Sequence, residues 1–159
     1  MADERDGEMM SSQTAETRLP LSAGWLGWLG AVPFVGLAGT VPFLSGAPRV
    51  IVEHALVAYG AAILSFLGGV HWGLAVRSRS SRDDGKLWLT LSVIPALAGW
   101  AALLVPETPG LFTLAIAAAV MLWVDIWATR VGQAPLWYPK LRIPLTCVVV
   151  AALLFAAII

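Results

Sequence analysis

Asp125 and His71 are the residues most able to do chemistry. Asp125 stands in the apolar run LAIAAAVMLWVDIWATR. A carboxylate at the centre of a membrane helix costs about 2.5–3.5 kcal/mol on insertion scales, and less near an interface. Asp125 lies five residues before Arg130, about 7–8 Å inside the helix end at 1.5 Å per residue. On a helix it shares a side with Leu114, Ala118, Met121 and Thr129. Phe112, Ile116, Val120, Trp123 and Trp127 fall opposite. This pattern predicts that Asp125 points into a bundle. His71 lies six residues before Arg77, at similar depth, so the two side chains are expected to be close. An imidazole beside a carboxylate can move protons or hold a ligand. The plainer alternative is a hydrogen bond that fixes helix packing. Arg142 is a rival partner for Asp125 from the following loop, and Tyr138 completes the candidate polar site. No catalytic residue is assigned.

A second polar pair, Arg49 and Glu53, has the i,i+4 spacing of a local ion pair, with His54 beside it. Glu53 and His71 share a helix face five turns and about 27 Å apart. Between them that face offers only Gly60, Leu64 and Gly68. A proton wire along this helix alone is therefore not expected. No HExxH, phosphate-binding loop or dinucleotide glycine motif is present, so no metal and no cofactor is predicted. A lone cysteine, Cys147, forms no intramolecular disulfide.

These residues need a scaffold, and composition defines it. Hydrophobic residues make up 58% and charged residues 13%, with a mean hydropathy of +0.80. A soluble domain is closer to a quarter charged. The net charge of zero gives no bulk attraction to nucleic acid. Residues 1–20 read as a polar, disordered cytoplasmic tail, unlike a signal or transit peptide. Residues 21–159 read as one all-α transmembrane bundle. Its five helices are expected at about 22–44, 50–76, 87–105, 110–129 and 143–159, each near the length a bilayer needs.

Nine of the ten basic residues fall on one side of these spans, leaving Arg49 alone on the other. The positive-inside rule then puts the N-terminus in the cytoplasm and the C-terminus outside.

The second helix organises the rest. Val52, Leu56, Tyr59, Ile63, Phe66, Val70 and Leu74 form one bulky stripe. Ala61, Ser65, Gly69 and Gly73 recur every four residues, a small-residue face suited to close helix packing in lipid. The loop QAPLWYPKLRIPLT is stiffened by Pro135 and Pro139. Its Trp137 and Tyr138 suit the headgroup layer, and Lys140 and Arg142 suit anionic lipid phosphates.

YGAAILSFLGGVHWG, Asp125 and the P-x-WY-x-x-LR-x-x-LT pattern from Pro135 to Thr146 together resemble the transmembrane protein 69-like family. The similarity covers about residues 24–157. It implies a small multi-pass protein of bacterial or mitochondrial inner membranes and supplies no reaction, cofactor or site. With the acidic tail, a bacterial inner membrane is the expected location. Three functions compete. The first is a non-enzymatic accessory or assembly protein with a membrane-protein partner or a second copy. The second is a small proton-coupled transporter using His71 and Asp125. The third is a membrane-embedded enzyme acting on a lipid or quinone.

Overall fold

The computed structural model describes residues 21–77 and 82–159, and the tail 1–20 lies outside them. The described chain is five helices with no strand: α1 Leu21–Thr40, α2 Ala47–Arg77, α3 Arg82–Leu103, α4 Glu107–Arg130 and α5 Tyr138–Ile158. All five are long and apolar enough to cross a membrane. A short 3-10 turn, Val41–Phe43, follows α1. In lipid no water pairs with exposed backbone, so each span must satisfy its N–H and C=O groups internally, as a helix does.

Four helices start three to five residues earlier than the sequence reading places them, and at α4 and α5 the start turns on proline. Pro109 sits in the first turn of α4, where its missing N–H has no helical partner to lose. The helix therefore begins at Glu107, whose charge complements the helix dipole. Pro139 plays the same part in α5. Pro144, which reads from sequence as a helix start, lies inside the helix instead, as membrane bundles tolerate. Arg142 is thus a helical residue rather than a loop residue.

The α4–α5 turn is fixed by Gly132 at φ 75°. Its N–H bonds Thr129 O at 3.1 Å, and Gln133 N–H bonds Ala128 O at 2.8 Å. This paired arrangement closes a helix on a left-handed residue, a conformation glycine adopts without strain.

The helices neighbour each other in chain order around a ring, α5 closes back on α1, and α2 also packs across the ring on α4. Helix α2 has 31 residues, a length of about 46 Å at 1.5 Å per residue. That exceeds a hydrocarbon core of about 30 Å, so the helix tilts or reaches past the core. Its buried face carries Glu53, Leu56, Val57, Gly60, Ala61, Leu64, Leu67, Gly68, His71 and Ala75.

On the α2–α3–α4 side, glycines bring backbones together. A Cβ at Gly99 would sit 2.9 Å from Ala61 Cα, and one at Gly110 would sit 2.7 Å from Ala102 O. At Gly68 it would collide with the carbonyl oxygen of Ser92. The expected face Ala61, Ser65, Gly69, Gly73 divides. Ala61 is buried against Gly99, whereas Ser65, Gly69 and Gly73 are exposed, and Cβ atoms at the two glycines would meet nothing within 4 Å. The packing face is rotated toward Gly60 and Gly68, the side that also carries Glu53 and His71. The bulky stripe is likewise divided. Leu56 is buried, Tyr59 packs on Phe34 at 5.0 Å, and Phe66 is exposed.

Candidate functional site

Helices α2, α4 and α5 each contribute one residue to a charged cluster near the end of the bundle where α2 and α4 finish and α5 begins. This is the basic end, with Arg130, Lys140 and Arg142. Asp125, on α4, is fully buried. His71 Nε2 lies 2.8 Å from Asp125 Oδ1, and Arg142 Nε donates to Asp125 Oδ2 at 2.6 Å. Both carboxylate oxygens are therefore engaged, by partners from two other helices. Tyr138, one turn before Arg142 on α5, interacts electrostatically with both Asp125 and Arg142. The structure brings all four residues of the candidate polar site together.

The geometry follows from helical spacing. Asp125 lies on the buried face of α4 with Leu114, Ala118, Met121 and Ala128, while Phe112, Ile116, Val120 and Trp123 are exposed. His71 lies one turn below Gly68, where α2 packs tightly on α3, and its ring is held deep in the bundle at 1% exposure. Trp88 of α3 lies parallel to the imidazole, with centroids 6.3 Å apart and planes 5° from parallel. Trp127 stacks on Trp88 at 4.7 Å, and Trp123 follows at 6.3 Å.

The guanidinium of Arg142 forms an ion pair with the Asp125 carboxylate, which balances its charge. With Nε2 turned to Asp125, His71 uses Nδ1 for nothing: this atom is buried without a hydrogen-bond partner. Chemically, the cluster can hold a charge pair away from water and keep an imidazole in one orientation. Among the described residues, no three His, Cys, Asp or Glu side chains group as a metal site would.

The opposite end carries its own polar set. Arg49 Nε donates to Glu53 Oε1 at 2.7 Å, and Arg49 Nη1 donates to the Ile159 carbonyl at 3.2 Å. His54 Nδ1 lies 3.9 Å from Glu107 Oε1. The two ends are separated by the apolar core, with Leu56, Leu64, Leu67, Leu111 and Leu114 between them. Cys147 is free and exposed.

The sequence reading missed the tryptophan stack and the close-packed role of Gly60, Gly68, Gly99 and Gly110. The signal for Gly60 and Gly68 was present: they share the helix face of Glu53 and His71, and ionisable groups in a membrane helix seek the interior.

These features define the class: a polytopic α-helical membrane protein with a buried, charge-balanced His–Asp–Arg cluster near one end. The chain belongs to the family described as "Protein of unknown function (DUF3429)", whose model matches residues 19–158. It is similar to transmembrane protein 69 of Xenopus tropicalis, with 38% identity over 131 residues, 76% of this chain and 51% of the relative. It is also similar to transmembrane protein 69 of Mus musculus, with 30% identity over 125 residues, 72% of this chain and 50% of the relative. The chain spans about half the length of these curated relatives. No solved structure matches it.

Proposed function

We propose that this protein is a non-enzymatic accessory or assembly component of a membrane complex, built on a permanently braced bundle. The observation that carries this reading is the saturation of Asp125. Both of its oxygens are held, at 2.8 and 2.6 Å, by residues of two other helices. A carrier that loads and unloads a proton at a carboxylate needs that group to exchange partners. A buried carboxylate bridging two helices resists such exchange, because removing one partner strands a charge in low dielectric.

The exposed strip Ser65, Gly69, Gly73 on α2 is a compatible docking face, since small residues let a neighbouring helix approach closely. The proposed setting is a bacterial inner membrane with the basic end toward the cytoplasm. It follows the nine-to-one distribution of basic residues.

Crosslinking in native membranes from a photoreactive residue at the exposed Trp72 beside this strip, followed by mild extraction, tests the reading. The expected result is one stoichiometric partner, lost in Gly69→Leu. Repeated isolation as a lone monomer without crosslinked neighbours would overturn it.

One observation favours a second reading. The free Nδ1 of His71 suits a proton-coupled carrier working through His71 and Asp125. That reading requires Asp125→Asn to abolish proton flux in proteoliposomes while the protein remains folded.

A further inference from the structure

The α1–α2–α4–α5 quadrant of the ring is hollow. A cavity of about 140 Å³ lies there, bounded by Gly30 and Phe34 on α1, Gly60 on α2, Leu114 on α4 and Arg142 and Thr146 on α5. An apolar cavity of about 150 Å³ is large enough to take up benzene, so this one is ring-sized. Two of its lining residues, Leu26 on α1 and Phe66 on α2, are 70% and 66% exposed. The cavity therefore opens sideways, between α1 and α2, onto the surface that faces lipid.

Its wall is apolar except at one place. Arg142 and Thr146 are one turn apart on α5, so they share a face, and both line the cavity. Arg142 commits only Nε to Asp125, and its terminal nitrogens make no hydrogen bond to a described residue. Thr146 is 4% exposed, and its hydroxyl likewise has no hydrogen-bond partner among the described residues. Among the described residues the one side-chain polar atom sealed in protein without a partner is His71 Nδ1, so the Thr146 hydroxyl is open to the cavity it lines. Two donors without acceptors at the polar end of a ring-sized apolar cavity call for an oxygen acceptor on an apolar body.

Charge balance selects the kind of acceptor. Arg142 is already neutralised by Asp125. An anionic head would add an uncompensated charge beside a buried carboxylate, which is strongly unfavourable. A carbonyl oxygen accepts from both donors and leaves the balance intact. We infer that this cavity binds the carbonyl-bearing ring of a membrane-soluble quinone, its oxygen directed to Arg142 and Thr146 and its tail leaving between α1 and α2. This site goes beyond the accessory reading and stands whether or not a partner docks on α2.

The test uses the full chain in phosphatidylcholine nanodiscs, with decylubiquinone as the probe and native mass spectrometry as the readout. Decyl phosphate serves as the anionic probe of equal tail length. Wild type should retain one equivalent of decylubiquinone and little decyl phosphate. Thr146→Val keeps the side-chain shape and removes the hydroxyl, and should weaken retention about tenfold. Gly30→Leu places a side chain at the cavity wall, where an added Cβ meets nothing within 4 Å, and should abolish retention. Both variants should melt within a few degrees of wild type. If Gly30→Leu fails to fold, Thr146→Val decides. Absence of quinone from wild type would overturn the inference. So would equal retention in all three proteins, which marks simple partitioning, or occupation by phospholipid that quinone does not displace. Tighter binding of decyl phosphate would overturn the neutral-head assignment.

Discussion

On either side of the α2–α4 contact, small residues line the helix faces, yet the two sides end in opposite states. Toward α3, Gly68, Gly99 and Gly110 are filled by the neighbouring backbone, so an added Cβ would strike Ser92, Ala61 or Ala102. Toward α1 and α5, Gly30 leaves open space and the cavity remains. A small residue is permission for close approach rather than a cause of it. What decides is whether the partner helix presents backbone or bulky side chains there. On the hollow side Phe34, Leu114, Leu145 and Leu153 hold the helices apart. Asp125 sits at the seam, with His71 reaching it from the packed side and Arg142 from the hollow side.

The comparison can be broken most severely at the seam. Arg142→Leu leaves Asp125 buried with one of its two partners gone, and should destabilise by about 3–5 kcal/mol. Thermal unfolding in detergent would register this as a large fall in midpoint. An unchanged midpoint would mean that the hollow side contributes nothing to the brace.

Next in size is Gly68→Ala, which forces α2 and α3 apart. Overpacking of this kind costs about 1–3 kcal/mol, readable in the same unfolding experiment. Gly30→Ala sharpens the contrast, because the added methyl meets nothing and the helix loses a glycine. It should be neutral or stabilising by up to about 1 kcal/mol. If the two substitutions cost the same, the distinction between packed and hollow sides fails. The smallest effect is expected at the opposite end. His54→Ala removes a largely exposed contact with Glu107, a type of pair worth about 0–1 kcal/mol, so its midpoint should stay near that of wild type.

Much of this was legible in the sequence, and some of it was not, for physical reasons. Apolar runs of bilayer length specify helices without reference to their neighbours, so five spans follow from composition alone. The inward direction of Asp125 and its shared depth with His71 also follow, because helical period and rise are fixed by local geometry. Local proline chemistry pointed to a start of α5 at Pro144, and placing Arg142 on the helix required knowing that Pro144 is tolerated inside it. Which small residues are buried could not be read from α2 by itself. Ala61, Ser65, Gly69 and Gly73 and the series Gly60, Gly68 are equally small, and only the side on which α3 lies separates them. The cavity belongs wholly to tertiary structure, because it is the volume that four packed helices fail to fill, and no single helix encodes it. The place of Thr146 has the same origin: the sequence supplies the hydroxyl, and the bundle decides that it lines the cavity.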